Sequence, residues 1–207
     1  MSMLSSEDAS RELRIKEILH KLGLSSQHLD NIKNLNPSAD LSYHGYQHLL
    51  TVAINCFDLG EYYFSNGKIR QEIRLLVLAG LYHDWDHTGG QYEDSINIAK
   101  ATVGMVKHVA ELEDFSDADI SKISKLISMT EFPHRGVPVS LSEKIIRDAD
   151  LLQFAEEDFD RWAEGLTEES GNSVTVESTK KFLEKQTIYT SWAKTRLFSK
   201  SLVKVAW

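Results

Sequence analysis

The sequence predicts an all-α protein, a single compact helical domain over residues 1–207 with about seven to nine helices. Three observations predict it. Long segments carry apolar residues at helical spacing. Only three prolines occur, Pro37, Pro133 and Pro138, each where a loop is expected. No segment alternates apolar and polar residues as a half-buried strand does, and no repeat interrupts the pattern.

The elements follow in order. "ASRELRIKEILHKLG" sets Leu13, Ile15, Ile18, Leu19 and Leu22 along one side and stops at Gly23. "GYQHLLTVAINCFDLGEYYF" and "IRQEIRLLVLAGLYHDWDH" read as two further helices, the second apolar nearly all round as a buried central helix is. "YEDSINIAKATVGMVKHVAEL" is a fourth. "SDADISKISKLISMT" is a fifth, with Ser116 and Asp119 at capping-box spacing. "SLSEKIIRDADLLQFAEEDFDRWAEG" reads as one sixth helix, capped by Ser140 and Glu143 and ended by Gly165. "VESTKKFLEKQTIYTSWAKTRLF" supplies one or two more. "EESGNSV" at 168–174 is the most linker-like stretch and is too short to divide the chain.

Composition narrows the function. Hydrophobic residues at 42% and charged residues at 26% suit a globular protein. A net charge of −8 disfavours a broad nucleic-acid surface, so no nucleic-acid polymer is expected as partner. Cys56 is the only cysteine and excludes an internal disulfide. The N-terminal stretch lacks the basic and apolar regions of a signal peptide, and no run is long enough to span a membrane. These readings lead to a cytoplasmic protein with no membrane partner. Oligomeric state is not legible.

Four of the eight histidines fall in two short stretches, "LSYHGYQHLL" and "LYHDWDHTGG". On a helix, His44 and His48 share one face. His83 and Asp84 diverge by about 100°, so both reach one ion only at the helix end, where "HTGG" indicates a stop. Imidazole and carboxylate donors suit borderline divalent ions, which acidify bound water and hold phosphoryl oxygens. A further carboxylate is available in "IIRDADLLQF". Asp148 and Asp150 point roughly 200° apart there, so only one faces a given pocket.

These motifs resemble the HD-domain superfamily of metal-dependent phosphohydrolases. The local text is most similar to the catalytic domains of 3′,5′-cyclic nucleotide phosphodiesterases. Their patterns Tyr-His-Asn-x-x-His, His-Asp-x-Asp-His-x-Gly and Ala-Asp-Leu are matched in order by "YHGYQH", "HDWDHTG" and "ADLL", over roughly residues 40–155. The resemblance implies one or two divalent ions per chain, Zn, Mn, Fe or Mg, held by His48, His83, Asp84 and Asp150. Asp150 is preferred over Asp148 because the family's ligand directly precedes the apolar pair matching Leu151-Leu152. The resemblance implies that His44 protonates the leaving oxygen while metal-activated water attacks phosphorus, and that His87 orients water or a ligand. A carboxylate supporting His44 is required and is not identified by the motifs.

Gly45 stands where the phosphodiesterases carry Asn, Tyr92 stands near a second such position, and the C-terminal part is abbreviated, with Gln186 the one candidate for its base-reading glutamine. These departures leave the hydrolase class standing and put cyclic nucleotide specificity in doubt, with phosphodiester and phosphomonoester both open. The expected substrate is a small phosphate ester, a nucleotide foremost. Other candidates are weaker. His108 is expected to face solvent. His134, Glu131, Arg135 and Arg147 are pocket or phosphate candidates. Trp162, Tyr189 and Trp192 are read as core rather than base-stacking residues. The alternatives are a di-iron oxygenase, which would use both His108 and His134, and a non-catalytic nucleotide or metal sensor.

Overall fold

A computed structural model describes residues 6–64, 70–134, 136–156 and 158–199. They form ten α-helices and one short 3-10 turn, with no strand among the described residues. In order these are α1 (Ser6–Leu22), α2 (Gln27–Asn34), α3 (Tyr46–Tyr63), α4 (Arg70–Tyr82), α5 (Asp94–Leu112), α6 (Asp117–Ser128), α7 (Leu141–Leu151), the 3-10 turn Leu152–Ala155, α8 (Phe159–Ser170), α9 (Val176–Glu184) and α10 (Ser191–Ser199).

The apolar run of α4 places it at the centre. Every residue from Leu75 to Tyr82 is buried, and each fully buried leucine contributes about 2 kcal/mol. α3 packs on α4 at near-backbone contact, because a Cβ at Gly80 would stand 2.9 Å from Ala53 Cα. α1 and α7 also pack on α3, and α6 packs on α4. One connected apolar core runs from Ile15 to Leu197.

Local signals place the ends. Ser116 with Asp119 and Ser140 with Glu143 form reciprocal capping boxes at the starts of α6 and α7. Gly23, at φ +67, follows α1. Within α1, Leu13 departs from the expected apolar side and is 60% exposed.

Three boundaries differ from expectation. Helix α2 is not signalled by a long apolar period; it is eight residues. The expected sixth helix breaks into α7, the 3-10 turn and α8, and Gln153 in that turn is directed at His48. Gly165 does not end a helix. It lies inside α8, which runs on to Ser170 and closes at Gly171, φ +68. A Cβ at Gly165 would meet Ser42 O at 2.5 Å, so glycine here lets α8 lie against the loop that precedes His44. The segment read as linker-like therefore begins inside α8.

Candidate metal centre

The centre is assembled from three chain segments. His48 is in the first turn of α3. His83 and Asp84 sit in the turn that follows α4, as the "HTGG" text predicts. Asp150 is in the last turn of α7. The Nε2 atoms of His48 and His83 lie 3.0 Å apart. Asp84 Oδ2 is 3.2 Å from each of them, and Asp150 Oδ1 is 3.3 Å from His48 and 3.5 Å from His83.

The other ring nitrogens settle what these Nε2 atoms offer. His83 Nδ1 donates to Gly80 O at 2.8 Å. His48 Nδ1 donates to Gln153 Oε1. In the neutral imidazoles both Nε2 lone pairs then face each other and two carboxylates, an arrangement that only a cation relieves. In the metal-free protein a proton serves. Burial lowers both imidazoles, but Asp150 and Asp84 outweigh it, pushing His48 up to about 9 and His83 well above its ordinary value. Asp84 and Asp150 are held below the carboxylate range, the two histidines outweighing burial. The donor set fits a divalent metal ion, with His48, His83 and Asp150 offering ligand atoms within 4.8 Å of one another.

Asp148 faces away. It is fully buried and accepts the backbone N–H groups of Tyr189 at 2.9 Å and Thr190 at 2.7 Å, fixing the segment between α9 and α10.

His44 reaches the centre differently from the helical register expected of it. It precedes α3, whose N-cap is Gly45. A Cβ at Gly45 would meet Leu41 O at 2.2 Å, so glycine permits the tight turn that brings His44 over the site. The His44 and His48 ring centroids are 5.8 Å apart. His44 Nδ1 donates to Glu169 Oε2 at 2.6 Å, and Glu169 Oε1 accepts from the backbone N–H groups of Tyr43 and His44. Glu169 is the carboxylate the motifs left unidentified, and it lies on α8 within the stretch read as linker-like. Burial pulls His44 below its ordinary value even with Glu169 beside it. His44, His87 and Glu169 form a second group of potential ligand atoms. Their hydrogen bonds already engage His44 Nδ1, and His87 Nδ1 accepts from Gly89 N at 3.1 Å. His87 stacks on His44 with centroids 3.7 Å apart and turns Nε2 toward Asp94 Oδ1, 3.8 Å away.

Short polar residues hold the 84–87 turn. Ser38 Oγ donates to Asp84 O at 3.3 Å and accepts from His87 N at 3.1 Å, while Asn36 Oδ1 accepts from Asp86 N at 2.8 Å. Asp86 itself has φ +57 and pairs with Lys100 at 3.1 Å. Asn36, Ser38, Asp94, Gln153 and Glu169 carry no motif signal. Only for Asp94 and Asn97, one turn apart on α5 and bonded at 3.0 Å, does spacing offer a hint.

The remaining candidates separate. His108 is not solvent-facing; it is 4% exposed, packs against Trp85 and belongs to neither ligand group. His134 is half-buried and donates Nδ1–H to Glu131 O at 2.8 Å; burial and then Arg147 lower its pKa, outweighing Glu131 O, Asp150 and Asp94. Arg147 is buried and holds Met129 O and Gly136 O, so it is a loop brace. Arg135 lies outside the described residues. Trp162 is buried and donates to Asp158 at 2.8 Å, while Tyr189 and Trp192 are partly buried. Gln186 donates to Phe182 O at 3.3 Å and Tyr92 is exposed.

A family model described as HD domain matches residues 45–155. The chain belongs to the HD domain family. HD domains are generally metal-dependent hydrolases that bind divalent ions, and the His/Asp group of this HD domain is placed to do so. The matched span contains His48, His83, Asp84, Asp150 and Gln153, whereas His44 directly precedes it and Glu169 lies well beyond its end. Among curated proteins no sequence matches the chain. No helix among the described residues is long and apolar enough to cross a membrane.

Proposed function

We propose that this HD domain is a phosphohydrolase for a small phosphate ester, a nucleotide foremost, with His48, His83, Asp84 and Asp150 as metal ligands. The observation that carries the reading is the pair of facing Nε2 atoms 3.0 Å apart, each with its Nδ1 engaged and two carboxylates alongside. A divalent ion bound there supplies acidified water and charge neutralisation for phosphoryl oxygens.

The chain's own groups do the rest. Gln153 and Gly80 fix the tautomers of His48 and His83. Glu169 fixes the tautomer of His44 with Nδ1 protonated, so its Nε2 is the atom that exchanges a proton with the ester. The anionic ester raises the imidazole toward its charged form, and His44 then protonates the departing oxygen. His87 backs the His44 ring and orients groups beside it.

The test is a hydrolysis screen of a chromogenic phosphodiester and a nucleotide panel with Mn, Mg, Zn and Fe, alongside metal analysis. Chelator-reversible turnover that disappears in Asp84→Asn is expected. A metal-loaded protein inert on every ester would overturn the reading. The di-iron alternative finds no support at His108, which lies against Trp85 and outside both ligand groups.

A further inference from the structure

We infer that Phe132 and His134, on the loop between α6 and α7, form a recognition face for a flat aromatic ring on the leaving group of the ester, Phe132 stacking on the ring and His134 accepting a hydrogen bond from its edge. The inference rests on the phosphohydrolase reading above and narrows its substrate to an ester of a ring-bearing alcohol, of which a nucleoside is one, rather than a sugar or alkyl phosphate. Gln186, the base-reading candidate of the C-terminal part, is turned instead to Phe182 O.

Two features tie this face to the metal centre. Asp94 is the first. Its Oδ2 accepts the Phe132 N–H at 2.6 Å, and its Oδ1 stands 3.8 Å from Nε2 of His87, whose ring backs His44. The loop is thereby held on the side of the site where His44 meets the departing oxygen, so the leaving group is the part of the ester it faces. A row of rings is the second. Tyr43 packs on His44 and His48, with centroids 4.6 and 5.0 Å away; Phe154 follows at 6.3 Å from Tyr43, Phe182 at 5.9 Å from Phe154, and Phe132 at 5.6 Å from Phe182. Tyr43 and Phe154 are buried and Phe182 half-buried, whereas Phe132, the outer end, is 47% exposed and leaves ring surface uncovered.

The face is built in advance. The buried Arg147 donates to Met129 O at 3.0 Å and to Gly136 O at 2.9 Å, bracing the loop on both sides of Phe132, so little freedom is lost when a second ring covers it. His134 stands perpendicular to Phe132, at 89° with centroids 5.6 Å apart. Its Nδ1–H is taken by Glu131 O, a carbonyl that can only accept. In the neutral ring, which burial and then Arg147 favour, Nε2 therefore carries a lone pair, and it has no hydrogen-bond partner among the described residues. An exposed ring face beside a free acceptor suits a flat ring with an N–H donor on its edge.

The experiment uses the full chain, first in chelator, with adenosine as the probe and ribose as its counterpart without the base. Saturable adenosine binding by calorimetry is expected, with none for ribose. Phe132→Leu should weaken it about tenfold, His134→Ala about fivefold, and Phe132→Tyr should retain it, since stacking needs a ring and not merely an apolar side chain. Phe198→Leu, at a comparably exposed phenylalanine on α10, should leave it unchanged. Phe132 and Phe198 lie on the surface, so these variants fold, as circular dichroism verifies. No saturable binding, or equal binding in Phe132→Leu and the parent, would overturn the face; unchanged binding in His134→Ala would overturn the acceptor. This arm needs neither metal nor turnover. The second arm takes the ratio of kcat/KM for adenosine 5′-monophosphate to that for ribose 5-phosphate in the metal-loaded protein. That ratio is expected to fall about tenfold in Phe132→Leu; an unchanged ratio overturns the inference. Adenosine binding lost in Phe132→Leu, together with no turnover of either ester, would uphold the ring face and overturn the hydrolase reading alone.

Discussion

Glu169 holds His44 from across the fold, its Oε2 2.6 Å from Nδ1 and its Oε1 on the two backbone N–H groups that open the turn. One carboxylate thus fixes the position, ring orientation and tautomer of His44.

Glu169→Gln is expected to slow turnover about tenfold, most for esters with poor leaving groups, while metal content stays unchanged. The leaving-group dependence separates proton transfer from a merely structural effect. The same variant has a signature in stability. Burial raises the Glu169 carboxyl, but its hydrogen bonds and the His44 charge outweigh this and leave it below its ordinary value of 4.5. The ionised form is therefore favoured by folding. Its stabilisation is complete above 4.5 and disappears as pH falls through the folded value. Urea unfolding at a series of acid pH values should show a shallower loss in Glu169→Gln than in the parent; equal slopes would remove the ion-paired role.

Gly165→Ala places a methyl 2.5 Å from Ser42 O. Alanine favours the helix by about 1 kcal/mol, yet the carbonyl it meets is backbone and α8 is tied to α1 by Arg161–Asp8 at 2.6 Å and Arg11–Asp158 at 2.7 Å. The expected outcome is a net destabilisation of about 1 kcal/mol with a turnover loss resembling that of Glu169→Gln. Thermal melts and leaving-group profiles of the two variants check this.

Asp148 and Asp150, two positions apart on α7, should fail differently. Asp150→Ala is expected to lose stoichiometric metal. Asp148→Ala is expected to keep it and to destabilise the protein by about 2 kcal/mol, because the buried N–H groups of Tyr189 and Thr190 lose their acceptor. Elemental analysis beside denaturant titration distinguishes them, and metal loss in Asp148→Ala would reverse the assignment.

Gln153→Leu removes the acceptor on His48 Nδ1 together with a buried amide nitrogen that has no partner. Metal affinity should fall about 10- to 100-fold with little change in melting temperature. Unchanged affinity would show that Gln153 does not orient the ligand.

The all-α class, the buried central helix and the metal ligand candidates were legible because each is a local or repeated signal. Apolar period marks α4, capping boxes mark α6 and α7, and the His-Asp doublet stands at a helix end announced by glycines. Tertiary contacts decided the rest. His44 lies outside the helix that its spacing from His48 suggests, because Gly45 admits backbone that any Cβ would exclude. His108, on a late turn of α5, is buried because Trp85 folds against it. Glu169 becomes the partner of His44 only because Gly165 lets α8 touch the loop at Ser42, 126 residues from the Glu168 it hydrogen-bonds. Sequence alone determined which metal-ligand candidates the chain carries, since donor type and helix-end spacing are local properties. Only the tertiary structure decided which carboxylate and which amide serve it, since those partners meet through long-range packing that leaves no periodic trace.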